Sequence, residues 1–112
     1  WTETHFGRRI YRPEVWSGPG PALAHAERSV MPDAIQGTAA DVMKLWLTSI
    51  AALLPPSAPL LLSVHDEVVG EMAPEDEAGV KEVLNLALEG ILPIRLPCEF
   101  YIGPNWADME RV

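Results

Sequence analysis

The chain has 112 residues, about half of them apolar, with four Trp and a formal net charge of −8. That is enough for one compact domain with a modest core, and too apolar for a disordered tail despite eleven Pro. The single cysteine, Cys98, excludes an internal disulfide and fits a reducing, cytoplasmic compartment. The apolar run from Leu45 to Leu62 is broken by Thr48, Ser49 and three prolines, and makes a poor membrane span.

Residues 5–11 read as a short strand, followed by a Gly- and Pro-rich loop from Pro13 to Pro21. Residues 22–31 suit a helix that Pro32 bends or ends. The strongest helical signal lies over 37–54. There Ala39, Val42, Met43, Trp46, Ile50, Leu53 and Leu54 recur at helical spacing, until Pro55, Pro56 and Pro59 stop the run. Residues 60–64 and 68–72 are Leu- and Val-rich strands of a hairpin, with His65-Asp66-Glu67 at its turn. A second helix is expected over 75–89, opened by Pro74. Acids in its first turn suit the helix dipole, and Gly90 suits its C-terminal cap. Residues 94–102 alternate as a half-buried strand, with Ile94, Leu96, Cys98, Phe100 and Ile102 on one face. A turn at Gly103-Pro104-Asn105 and a short tail follow.

The expected fold class is therefore α+β: a small antiparallel sheet with a central β-hairpin and helices packed on one face. No internal boundary divides residues 1–112, so they read as a single segment. The first residue is Trp, which reads as a piece of a longer chain.

The net charge argues against a nucleic-acid binder, which usually carries a basic face. The distribution softens that objection. Arg8, Arg9, Arg12, Arg28 and Lys44 all precede residue 65, and most acids follow it. Taken alone, Asp66 and Glu67 are ordinary solvated turn residues, His65 a surface histidine, and Arg8, Arg9 and Arg12 a solvated strand face. Trp16, Trp46 and Trp106 read as packing residues, and Cys98 as inert.

Four segments taken together carry a more specific signal. They are Thr4-His5-Phe6-Gly7-Arg8-Arg9-Ile10-Tyr11, Ala26-Glu27-Arg28, Gln36-Gly37-Thr38-Ala39-Ala40-Asp41 and Val64-His65-Asp66-Glu67-Val68, with Gly103-Pro104-Asn105-Trp106 at the end. In order and spacing the set resembles the C-terminal part of the palm of A-family, polymerase-I-like DNA polymerases, over nearly the whole chain.

The resemblance implies a DNA-directed DNA polymerase, a nucleotidyltransferase of DNA replication and repair. It gives Asp66 the role of metal ligand, with Glu67 tuning the site and His65 near the primer end. Two Mg2+ ions roughly 4 Å apart would clamp the attacking 3′-hydroxyl and the leaving oxygen. Arg28 and Gln36 match residues that touch the primer–template minor groove and backbone, and Arg8 and Arg9 match a segment near the duplex. The implied partners are primer–template DNA, deoxynucleoside triphosphates and the remainder of the polymerase chain. There is no membrane among them.

Three departures stand out. Pro32 stands where the family usually has a minor-groove Asn, Asp33 adds a negative charge beside it, and Gly70 replaces a bulky apolar residue of the second hairpin strand. The family's other metal-binding Asp and its triphosphate-holding helix have no counterpart here. One carboxylate does not clamp two metals, so the isolated chain is expected to be inactive. Two other readings stand beside this one. A non-catalytic polymerase remnant would bind DNA or self-associate through exposed apolar faces. A metal hydrolase built on His65, Asp66 and Glu67 is disfavoured, because His5 and His25 lack metal-site spacing.

Overall fold

The computed structural model describes residues 1–112. It forms two compact units, Trp1–Leu45 and Trp46–Val112. The elements are helices and small antiparallel ladders, so the α+β class holds. The pairing is distributed over three separate two-stranded ladders.

In the first unit, the expected strand over 5–11 is instead a hairpin. Strands β1 (Thr2–Glu3) and β2 (Arg9–Ile10) pair antiparallel. Between them the chain reverses through Thr4–Arg8, where Gly7 takes φ 82° and the Arg8 amide donates to the Thr4 hydroxyl at 3.1 Å. A Phe-Gly pair in the middle of an alternating run is a turn signal, and it outweighs the strand signal around it. A short 3-10 turn over Pro13–Trp16 follows.

Helix α1 runs unbroken over Pro21–Leu53 with Pro32 inside it. The two helices expected over 22–31 and 37–54 are one. Pro32 removes one backbone donor, so the Arg28 carbonyl lacks its usual partner, at a cost of about 3 kcal/mol. Beside Pro32, the Asp33 carboxylate accepts from Arg12.

The second unit contains the end of α1. Trp46, Ile50 and Ala58 are buried there, and the Trp46 indole donates to the Leu84 carbonyl at 3.0 Å. After the proline stop, β3 (Leu60–Val64) and β4 (Glu67–Gly70) form the central hairpin. Its ladder pairs Val64 with Glu67, Ser63 with Val68 and Leu62 with Val69, then slips by one residue at Leu61 before Leu60 meets Gly70. Gly70 is not a packing weakness. A Cβ there would lie 2.9 Å from the Pro59 carbonyl oxygen, which accepts from the Glu71 amide at 3.1 Å.

Helix α2 (Glu77–Leu86) follows a 3-10 turn at Pro74–Asp76, shorter at both ends than the expected 75–89. Gly90, at φ 75°, closes the turns beyond it. The strand expected over 94–102 keeps its alternation from residue 95 on, with Leu96, Cys98, Phe100 and Ile102 more covered than Arg95, Pro97, Glu99 and Tyr101, whereas Ile94 is 65% exposed and leaves the covered face. Only β5 (Tyr101–Ile102) has a ladder, with β6 (Glu110–Arg111). The turn between them is an Asx turn: the Asn105 carboxamide oxygen accepts from the amides of Ala107 and Asp108. No helix is long and apolar enough to cross a membrane.

Candidate active site and nucleic-acid interface

The central hairpin closes in two residues, His65 and Asp66, because Val64 and Glu67 are already a ladder pair. A two-residue loop needs positive φ at its first position, where glycine is preferred. This chain puts His65 there, at φ 53°, the sole non-glycine residue with positive φ. A side chain held in that region costs about 1–3 kcal/mol and persists where the surrounding structure fixes it. The result is a tight apex presenting His65, Asp66 and Glu67 to solvent. None of the three makes a side-chain hydrogen bond or ion pair within the chain. The carboxylates of Asp66 and Glu67 therefore keep all their oxygens open to a cation or to water.

No group of three or more His, Cys, Asp and Glu side chains converges anywhere in the chain. The hard oxygen donors that Mg2+ prefers are present at the apex, but too few of them to enclose an ion. On its own the apex does not make a metal site. Below it, the hairpin leaves apolar side chains open to solvent. Leu61 and Leu62 of β3 are 53% and 42% exposed.

The first unit holds the other residues of interest. Arg28 and Gln36 are exposed on α1. Eight residues apart, they stand about 12 Å apart along the axis and within about 80° around it, with Pro32 between them. Neither side chain has a partner within the chain.

Arg8 and Arg9 are placed differently. The Arg8 guanidinium donates to Asp41 Oδ1 at 2.8 Å and to the Gly37 carbonyl at 2.9 Å. Arg9 lies 3.5 Å from Glu3 and 4.5 Å over the Trp1 ring, in a more exposed setting. Arg8 therefore ties the β1–β2 hairpin to α1, and Arg9 keeps more of its surface open.

The same seam shows what the Gln36–Asp41 run does. Gly37 is buried because a Cβ would meet Ile10 and Thr4 at 2.8 Å each. The Thr38 hydroxyl donates to the Ala34 carbonyl at 2.7 Å and accepts from the His5 amide at 2.9 Å. Burial pushes the Asp41 carboxyl up, but the Thr4 hydroxyl and the Arg8 guanidinium outweigh it and hold the group below its ordinary range. Gln36 faces out, while Gly37, Thr38 and Asp41 face the hairpin. Sequence reading missed these three and Thr4 as a docking seam. The signal was available in a small residue followed by a hydroxyl and an acid at helical spacing, Gly37, Thr38 and Asp41.

Asp33 also differs from expectation. Both its oxygens accept from Arg12, each at 2.6 Å, in a fork that cancels its charge locally. The hydrogen bonds from Arg12 hold the Asp33 carboxyl below its usual range, and those to Asp33 raise the Arg12 guanidinium. Two open clefts complete the surface. One, of about 310 Å³, is lined by Trp1, Tyr11, Arg12, Pro13 and Trp16. The other, of about 410 Å³, lies between the end of α2 and residues 94–98. Neither includes the hairpin apex.

Comparison with known proteins fits this geometry. The family model for DNA polymerase family A matches residues 1–108. The chain is 40% identical to the thermostable DNA polymerase I of Thermus filiformis over 99% of its length and 14% of that protein's. It is 36% identical to DNA polymerase I of Pseudomonas aeruginosa, over 95% of the chain and 12% of the relative. Among solved structures it matches the POL domain of Pol1 from M. smegmatis, in complex with DNA primer-template and dNTP. There the TM-score is 0.73 and the identity 29%, over 86% of this chain and 18% of that one. The chain thus spans about a seventh of the length of the curated relatives it matches, and it belongs to DNA polymerase family A.

Proposed function

We propose that the chain works as the C-terminal part of the palm of a DNA-directed DNA polymerase, adding deoxynucleotides to a primer in DNA replication or repair. The observation that carries this reading is the two-residue apex, which fixes His65 at positive φ and leaves the Asp66 carboxylate open and unpaired. Asp66 is the metal-binding residue, and it shares its Mg2+ ions with a carboxylate from the rest of the polymerase. When bound, those ions supply Lewis-acid activation and charge neutralisation for phosphoryl transfer. Glu67 adds negative potential beside them, and His65 stands at the primer end. Arg28 and Gln36 contact the primer–template backbone and minor groove. Arg9 lies near the duplex, and Arg8 holds the hairpin that carries it.

The chain alone is inactive on this reading, and DNA and nucleoside triphosphates reach it through the complete polymerase in the cytoplasm. The test is primer extension with Mg2+ and four nucleotides, comparing the complete polymerase, its Asp66→Ala variant and the 112-residue chain. Extension is expected from the first alone. Unchanged extension by Asp66→Ala would remove Asp66 from the metal site.

A second reading draws on the exposed Leu61 and Leu62 of the central hairpin. A remnant with such faces self-associates or binds DNA without catalysis. Sedimentation of the isolated chain with and without duplex DNA separates that reading from the first, when set beside inactivity of the complete polymerase.

A further inference from the structure

Pro32 falls midway between Arg28 and Gln36, at the point where α1 has lost a backbone hydrogen bond. Prolines inside helices are the commonest cause of sharp kinks. A kink there would change both the spacing and the relative direction of the two exposed side chains. One turn away, the Ser29 hydroxyl donates to the His25 carbonyl at 3.0 Å, an arrangement that also tends to bend helices. The residue next to the proline is Asp33. Both its carboxylate oxygens are gripped by Arg12, which lies 21 residues earlier, just before the Pro13–Trp16 turn. The grip is bidentate and tight, and the Asp33 side chain is only 12% exposed. A fork of this kind fixes direction as well as distance.

We infer that Arg12 and Asp33 are positioning residues: their fork braces α1 at its proline and so sets the geometry with which Arg28 and Gln36 meet primer–template DNA. The inference rests on the reading of Arg28 and Gln36 given above, and it assigns a role to two residues that touch no substrate. It also accounts for the acid beside the proline, which would otherwise face DNA as an uncompensated charge.

A brace and a simple charge shield make opposite predictions. For a brace, removal of either partner loosens the helix. Arg12→Ala and Asp33→Ala are each expected to raise the KM for primer–template DNA about fivefold in the complete polymerase, with kcat unchanged, the scale of one lost side-chain contact. In the 112-residue chain the same two variants should speed amide exchange locally, over residues 29–36, and leave the rest of α1 protected. Asp33→Glu, which keeps the fork, should recover most of the KM. For a shield, Arg12→Ala raises KM while Asp33→Ala lowers it, and that outcome overturns the brace. No change in KM from either variant, or a loss of kcat with exchange speeded throughout the chain, overturns it as well. The reading of Arg28 and Gln36 is tested separately. If Arg28→Ala and Gln36→Ala leave KM unchanged, that reading fails; if they raise it while the Arg12 and Asp33 variants do not, only the brace fails.

Discussion

The two units carry their charge in opposite ways. Residues 1–45 hold five Lys and Arg against five Asp and Glu, whereas residues 46–112 hold three against eleven. The whole net charge of −8 thus belongs to the second unit. In the first unit, Arg8, Arg9 and Arg12 pair with Asp41, Glu3 and Asp33. In the second, Asp66 and Glu67 stand unpaired at a hairpin apex. The difference teaches that net charge is a poor guide when each part of a molecule has its own task. Balanced charges bind segments to one another, and a surplus of one sign marks where a counter-charge must come from outside.

The largest effect expected from breaking this contrast is at the apex. Asp66→Ala in the complete polymerase should lower primer extension by about a thousandfold or more, the scale of removing a charge-stabilising group from a reaction centre. Folding should be untouched, because Asp66 makes no contact that supports the hairpin. Asp41→Ala should behave in the opposite way and reduce thermal stability first. A reversal of these two outcomes, read by extension and melting side by side, would mean that the acids of the two units have been assigned the wrong tasks.

Next in size is the seam of the first unit. Gly37→Val drives a branched side chain into Ile10 and Thr4, and Thr4 is itself buried with little room to move. Overpacking of this kind costs about 1–3 kcal/mol, more than the helix propensity gained by replacing glycine. Differential scanning calorimetry should show a lowered Tm, and the His5 amide should exchange faster as its bond to Thr38 is lost.

The seam also explains what the sequence made legible. The α+β class, the central hairpin, the second helix and Gly90 were readable because each rests on local pattern: period-two runs, period-3.6 stripes and a glycine at a helix end. The apex was readable from its residues, though its strain was not, since nothing local says that His65 will take positive φ. Three features were hidden. The continuity of α1 through Pro32 runs against the local proline signal. The docking of the turn inside residues 4–8 on α1 depends on Thr4, His5 and Arg8. The segment 95–100 has a strand's alternation but no ladder partner, and alternation alone does not supply one. Non-local contacts bear on all three, and Arg8 is a further case: nothing local says that Asp41 and Gly37 accept from its guanidinium.

Acid should separate the seam from the rest. Asp33 and Asp41 both titrate below the ordinary carboxylate range, so each binds its proton more weakly folded than unfolded. The stability they confer is fully present above the unfolded value, about 4, and is lost as pH falls through their lower folded values. Melting curves from pH 5 down to pH 2 should therefore show a fall that begins below about pH 4. In the Asp33→Asn, Asp41→Asn double variant that fall should be shallower, because the variant has already lost what protonation removes. Equal slopes for the two proteins would place the acid-sensitive groups elsewhere.

The smallest effect comes from comparing two neighbouring arginines. Arg8 is held by two bonds at 2.8 and 2.9 Å, while Arg9 is more than half exposed and stands 3.5 Å from an exposed Glu3. A solvent-exposed pair of that kind contributes about 0–1 kcal/mol, because water screens it and both side chains lose freedom to make it. Arg9→Ala should therefore leave Tm nearly unchanged. If Arg9 meets a phosphate of the duplex, the same substitution should reduce the salt dependence of DNA binding by about one unit of log–log slope. Arg8→Ala should do the reverse, lowering Tm with a smaller change in slope, since its guanidinium already donates to Asp41 and Gly37. An Arg8→Ala slope change equal to that of Arg9→Ala would show that the seam opens when DNA binds, and that its ion pair exchanges Asp41 for phosphate.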